Sequence, residues 1–330
     1  MVSAANQKKR HHYVPVTYLS NFTDSGERVF AYRKDDPISP LHIKPSEIAF
    51  ERYYYSQPMP EGGQDNNRLE DLFSAVESDW PAVVAAMMAG RPLGNRTEAL
   101  FQFIGLLRVR GPAARDPIEL HLGHEARRTM LRLADEGRIS APPAGLTFDD
   151  IDIAIDPHQS LNAMVAMLQG FGQLCNYFGL EVVHNATSEP FITSDNPVAI
   201  FDPDVPEDAL QPYTVRPPEG RIELLLPVSS RVLLRGRSEL PLVGADGRLG
   251  VAKMTRAAEV RRVNRYVARF GYRFVFADHP GLAPLVTKYA PLSPTIRFDD
   301  AKDGDEGEFT VMQMVFGPRP QKLKWRDGQR

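Results

Sequence analysis

The apolar residues of this chain change their spacing twice, and that double change limits the folds open to it. Between residues 13 and 55 they alternate or fall in short runs. Arg28-Val-Phe-Ala-Tyr-Arg33 reads as a strand, Asp24-Ser-Gly26 as the turn before it, and Leu41-His-Ile43 and residues 51–55 as partner strands. Pro37, Pro40 and Pro45 keep the intervening pieces short. Spacings of three and four then take over. Behind the cap-like Asp65-Asn66-Asn67, Leu69, Leu72, Phe73, Val76 and Trp80 share one helix face, and Pro81 breaks that helix or opens the next, over residues 82–89. Further helices are expected over residues 100–109, 117–135 and 158–175. After residue 178 the period returns to two, in Leu180-Glu-Val-Val183, Phe191-Ile-Thr193, Val198-Ala-Ile-Phe201, residues 222–226 and Val232-Leu-Leu234. An Arg-rich helix over residues 254–270 precedes one more alternating strand, Tyr272-Arg-Phe-Val-Phe-Ala277.

Strands, then a run of helices, then strands point to an α+β protein rather than to alternating βαβ units. The expected arrangement is an N-terminal β-hairpin, a central helical segment and a C-terminal, mostly antiparallel sheet that the hairpin joins. Residues 1–10 read as a basic tail. Residues 11–298 read as a single α+β domain: β over 11–58, helical over 66–176, β/α over 178–298. Residues 299–330 read as an acidic loop, a final strand and a basic tail.

Charge and cysteine content narrow the function classes. Lys and Arg total 39 against 42 Asp and Glu, so the surface as a whole has no electrostatic reason to hold nucleic acid. Local basic patches, Lys8-Lys9-Arg10 and the run 319–330 with Lys322, Lys324 and Arg326, leave nucleic acid open as a partner; the plainer reading is solvated termini. With Cys175 the one cysteine, no intrachain disulfide and no cysteine-based zinc site can form. No apolar run nears the roughly 20 residues that span a bilayer, so no membrane partner is expected, and neither is a secretory signal. The expected compartment is a reducing cytoplasm. A phosphate-binding Gly-x-x-x-x-Gly-Lys-Ser/Thr loop and a Gly-x-Ser-x-Gly elbow are both missing from the sequence.

The most distinctive segment is His11-His-Tyr-Val-Pro15, continuing to Tyr18-Leu19 and Asn21-Phe22. It resembles the opening signature of the bacterial and fungal family catalogued as domain of unknown function 4238, with Val16-Thr17 where that family commonly has Gln and an aromatic or polar residue. Three further segments resemble the family pattern: the helix from Leu69-Glu70 to Val76-Glu77, the helix around Arg108 and Arg110, and Phe191-Ile-Thr-Ser-Asp-Asn-Pro-Val198. The resemblance implies a shared fold and a shared site, and carries no settled activity.

The candidate site residues follow from their chemistry. His11 and His12 are adjacent, so in an extended segment they face opposite sides, and an imidazole can ligate a metal or titrate near neutral pH. Glu70 and Glu77 stand two helical turns apart, their Cα atoms about 10 Å apart, and would need a further element to share one cation. Arg108 can form a fork on phosphate or carboxylate; Arg110 is read as a charge that complements a helix C-terminus. Asp195 follows a strand in a turn-forming Ser-Asp-Asn-Pro and is the best single acid, as metal ligand or general base. His121, His124 and Glu125 are read as solvated surface.

Two functions remain open. One is a metal-dependent hydrolase acting on a phosphodiester. In it Asp195, Glu70, His12 and Arg108 are catalytic, and Arg108, Asn196 and Asn264 bind substrate. His11, His12, Glu70, Glu77 and Asp195 hold a divalent Mg, Mn or Zn. The other is a non-catalytic binding module in which the same residues hold the fold or a partner peptide.

Overall fold

The computed structural model describes residues 8–59, 61–303 and 307–323. The chain opens with β1 (Arg10–His12), a short helix α1 (Val16–Leu19), β2 (Val29–Arg33), β3 (Asp36–Ile43), β4 (Phe50–Arg52) and the small ladder β5 (Gln57–Pro58) and β6 (Gln64–Asp65). Helices follow: α2 (Arg68–Ser78), α3 (Trp80–Met88), α4 (Thr97–Val109), α5 (Pro112–Asp135) and α6 (Pro157–Leu174). The remainder is β7 (Gly179–Asn185), β8 (Thr193–Ser194), β9 (Ala199–Phe201), β10 (Glu223–Ser229), β11 (Val232–Arg237), β12 (Gly250–Met254), α7 (Ala257–Phe270), β13 (Phe274–Ala277), α8 (Ala283–Tyr289), β14 (Ser293–Asp303) and β15 (Gly307–Gly317). The fold is α+β, as the double change of period implies.

A five-stranded sheet, ordered β12-β7-β11-β10-β9, separates two apolar cores. Its strands alternate between them, as a two-residue period requires. Leu224 and Leu226 of β10, Val182 of β7 and Leu234 of β11 face the helical core with α3, α4 and α6. Leu225, Val183 and Leu233 face the other way, toward Val260, Val263 and Val267 of α7. Burial on both faces explains why these strands read as nearly continuous apolar runs. In the helical core the Trp80 indole stacks on Phe103 at 3.9 Å between centroids.

A four-stranded sheet, β3-β2-β13-β8, closes the second core and ties the ends of the chain together. The early hairpin β2-β3 pairs through β2 with β13, Val275 lying opposite Tyr32, so the expected union of hairpin and late sheet is present. Gly179 opens β7 where the chain passes close: a Cβ there would lie 2.0 Å from the Pro241 carbonyl oxygen.

Several details depart from expectation. Residues 51–55 read from the sequence as a partner for the first strand, whereas β4 pairs with β1, Arg52 opposite Arg10. The helix expected from residue 117 begins at Pro112 and passes through Pro117. The acidic stretch 299–308, expected as a loop or linker, runs into a long hairpin in which Ser293 pairs with Gly317 and Asp303 with Gly307; the rest of the basic tail, 324–330, lies outside the described residues. Among the described residues no helix is long and apolar enough to cross a membrane.

Candidate functional site

The first motif is built as a strand. In β1, His11 lies opposite Glu51 and His12 opposite Phe50, and successive side chains turn to opposite sides. His11 turns inward and is fully buried, its ring stacked on Tyr55. Its Nδ1 accepts the Tyr55 backbone N–H at 2.8 Å, which puts the ring proton on Nε2, where it is donated to the Lys8 carbonyl at 3.1 Å. Both ring nitrogens are therefore engaged. His12 turns outward; its Nε2 lies 3.2 Å from the Ser46 carbonyl and its ring leans on Phe50. Burial pulls both imidazoles below their ordinary pKa, against the opposing pull of the Lys8 and Ser46 carbonyls.

The helix-end arginines depart from the roles their positions suggest. Arg110, read as a charge that complements a helix C-terminus, is buried. Its guanidinium donates to Glu77, to the His12 carbonyl and to the Tyr55 hydroxyl, and so joins α4, α2 and β1. Arg108 lays its guanidinium on the Tyr213 ring, 3.4 Å from the centroid, and its Nη1 has no hydrogen-bond partner among the described residues. Glu70 has one buried oxygen without such a partner, and burial raises its carboxyl above the ordinary value while Arg110 pulls the other way.

The second motif is a backbone clamp. Asp195 is buried at the end of β8, with Oδ1 accepting the Tyr272 N–H and Oδ2 the Arg273 N–H, both at 2.8 Å. Burial raises its carboxyl, and the two amides pull it back. Asn196 donates to the Phe270 carbonyl at 2.7 Å and to the Tyr213 hydroxyl. Asn264, on α7, accepts the Ile192 N–H at 3.2 Å and donates to the Pro190 carbonyl at 3.0 Å, which fixes the approach to β8. The arginines around it are paired as well, Arg261 with Glu189 and Arg262 with Glu223, so α7 carries no free basic stripe there.

Both motifs converge on one side chain that the sequence did not single out. Arg273, whose amide Asp195 holds, places its guanidinium between Glu51 and Asp116. Glu51 stands on β4, the strand that His11 and His12 pair with. Asp116 and Glu119, in the first turns of α5, are both buried, and both meet Lys322 from the segment after β15, at 3.2 and 2.6 Å. One turn of α5 also supplies Arg115, which donates to Ser160 Oγ, the Tyr54 carbonyl and the Pro157 carbonyl, while the Ser160 hydroxyl donates to Glu119 at 2.9 Å. Arg273 lines three adjoining hollows of about 480, 350 and 330 Å³; Lys322 shares the first two, and Tyr13 of the first motif lines the third. Beneath them Lys34 donates to the carbonyls of Gly271 and Leu292, each at 2.7 Å; burial brings its ammonium down to about 7, with Asp195 opposing.

The expected metal set does not gather at one point. His12, Glu77 and Glu70 surround Arg110, whereas Asp195 faces the backbone of Arg273. Among the described residues no group of three or more His, Cys, Asp or Glu is placed to hold a metal ion. Lys322, read as solvated tail, is exposed but held in an ion pair with Glu119. His124, read as surface, stacks on Phe298 of β14 at 3.9 Å. No local pattern around Arg273, Asp116 or Glu119 marks them, because their partners lie far away in the chain.

Residues 10–280 match the model of a family described as Protein of unknown function (DUF4238). The chain belongs to this family. The DUF4238 match covers both motifs, Glu51, Asp116, Glu119 and Arg273, and stops short of Lys322. No curated protein and no solved structure shows a significant match.

Proposed function

We propose that this DUF4238 chain is a non-catalytic binding module that takes a lysine-bearing peptide segment in the cleft around Arg273. The observation that carries this reading is the placement of Lys322 against two buried carboxylates, 2.6 Å from Glu119 and 3.2 Å from Asp116. The chain's own segment 318–323 acts as the resident occupant, and an incoming segment with a lysine would find the same acceptors. Swapping one ammonium for another leaves the carboxylates paired throughout, so the buried charges are never left alone. The resident segment competes at an effective concentration on the order of millimolar, as short tethers do.

The motif residues support the reading by their roles. His11, Arg110 and Asp195 each use their polar atoms on backbone groups or a neighbouring carboxylate, and together they position Glu51 and Arg273. The competing reading, a divalent-metal phosphodiesterase on His11, His12, Glu70, Glu77 and Asp195, has less support: the lone pair of His11 and both oxygens of Asp195 are already engaged, and Glu77 is paired with Arg110.

The test is fluorescence anisotropy with a labelled peptide Pro-Arg-Pro-Gln-Lys-Leu, the sequence of residues 318–323. Lys322→Ala should bind it in a salt-sensitive way, and more tightly than wild type does. A peptide with alanine for lysine should not bind. Equal binding of both peptides, or none by the opened variant, would overturn the reading.

A further inference from the structure

Apart from the charged cleft, and sharing no residue with it, α2, α4 and α6 line an open hollow of about 630 Å³. Its wall is apolar: Leu72, Phe73, Phe101, Leu106, Leu168 and Phe171 supply most of it. Gly172 lies on the wall with open space beside it, Gly105 lets α4 pack closely on Leu168 and Phe171 of α6, and Leu242 and Val243 from the β11–β12 connection close one edge. Gln102, Asn176 and the Cys175 thiol are the polar groups on this wall, and no charged side chain lines it. Burial pushes the Cys175 thiol up to about 12, so it stays neutral as well.

We propose that this hollow is a binding site for a neutral, largely apolar small molecule with a single hydrogen-bonding end, such as a long-chain alcohol. Three observations select that occupant. The volume falls within the roughly 300–1,000 Å³ of small-molecule pockets. The wall offers no cation or anion to neutralise a charged headgroup, and burying an uncompensated charge is costly. Gln102 and Asn176 already donate to Glu98 and to the Gln173 carbonyl, which leaves their amide oxygens to accept from a hydroxyl or N–H. The site is also a concave hollow walled by a handful of side chains on three helices and one loop, whereas each partner in a stable dimer commits roughly 800 Å².

Gly172 supplies a clean test, because a Cβ at this position meets nothing within 4 Å and the residue lies in a helix. Gly172→Phe should fold, as read by circular dichroism and an unchanged melting transition, while its ring fills the hollow. Leu72→Asp, at a side chain that is 58% exposed, places a charge on the wall without disturbing the backbone. The probe is Nile red, a neutral dye, titrated by fluorescence and displaced with 1-dodecanol or with dodecanoate.

Wild type should bind Nile red one to one, and 1-dodecanol should displace it at concentrations at least tenfold lower than dodecanoate. Both variants should lose at least tenfold in dye affinity. Absence of dye binding by wild type, or equal binding by the folded variants, would overturn the proposal. So would displacement by dodecanoate as effective as by the alcohol. A wild-type dimer by sedimentation that Leu72→Asp turns into a monomer would show that a second copy, not a small molecule, covers the site.

Discussion

Replacing Asp195 with alanine separates a structural role from a catalytic one. The carboxylate accepts two buried amides, those of Tyr272 and Arg273, each at 2.8 Å. An orphaned buried N–H costs about 1–3 kcal/mol, so losing both acceptors costs about 2–6 kcal/mol. Burial disfavours the ionised form of Asp195, and removing the charge returns part of that cost, which places the expected loss toward the lower end. For 330 residues, an unfolding entropy of about 2.1 cal/mol/K per residue gives about 1.4 °C per kcal/mol, hence a fall in melting temperature of about 3–9 °C. Asp195→Asn, which keeps one acceptor, should fall between this variant and wild type. Thermal melts followed by circular dichroism, with urea titrations at pH 7.5, measure the loss. Hydrogen exchange at the Tyr272 and Arg273 amides should speed up in step. An Asp195→Ala protein within about 0.5 kcal/mol of wild type, the scatter of ordinary surface changes, would refute the clamp.

Other perturbations test the remaining joints. Arg110→Met strands Glu77 and the His12 carbonyl, and urea midpoints should show a loss of about 3–5 kcal/mol, as when one partner of a buried pair is removed. Stability should rise with pH from below 6.5 into the alkaline range, because the folded pKa values of His11, His12 and Lys34 are all lowered and the unfolded chain therefore binds more protons there. The contribution of Lys34 falls between about 7 and its ordinary 10.5, with a slope of up to about 1.4 kcal/mol per pH unit; urea titrations at pH 7.5 and 9 should show that rise in wild type and a smaller one in Lys34→Met. Gly179→Ala drives a Cβ to 2.0 Å from the Pro241 carbonyl, and overpacking on the order of 1–3 kcal/mol should appear as a lower urea midpoint.

The sequence carries the architecture well wherever one side chain period dominates. The helices α2, α3, α4 and α6 and the strands β7, β10, β11 and β13 follow from periodicity, since each buries a face or two against a core. It fails where burial does not pattern the residues. β12 is an edge strand with Val251 exposed, and its parallel pairing with β7 leaves no alternation to read. The acidic residues of β14 suggest a solvated loop, yet eleven registered pairs with β15 hold the segment in a hairpin. At the site, the two motifs are visible as unusual strings, but their chemistry is not. His11 looks like a metal ligand until the Tyr55 amide is found on its Nδ1, and Asp195 looks like a general base until two amides are found on its oxygens. Arg273, Glu51 and Asp116, which meet beside these motifs, are brought together only by tertiary contact.

In the proposed function the motif side chains hold a cleft rather than perform chemistry. Turnover of bis(p-nitrophenyl) phosphate with magnesium, manganese or zinc, measured on wild type beside folded His12→Ala and Asp195→Ala, addresses this directly. No turnover above buffer is expected for any of the three proteins with any of the three ions. Saturable hydrolysis by wild type that either substitution abolishes, with the fold retained, would contradict it.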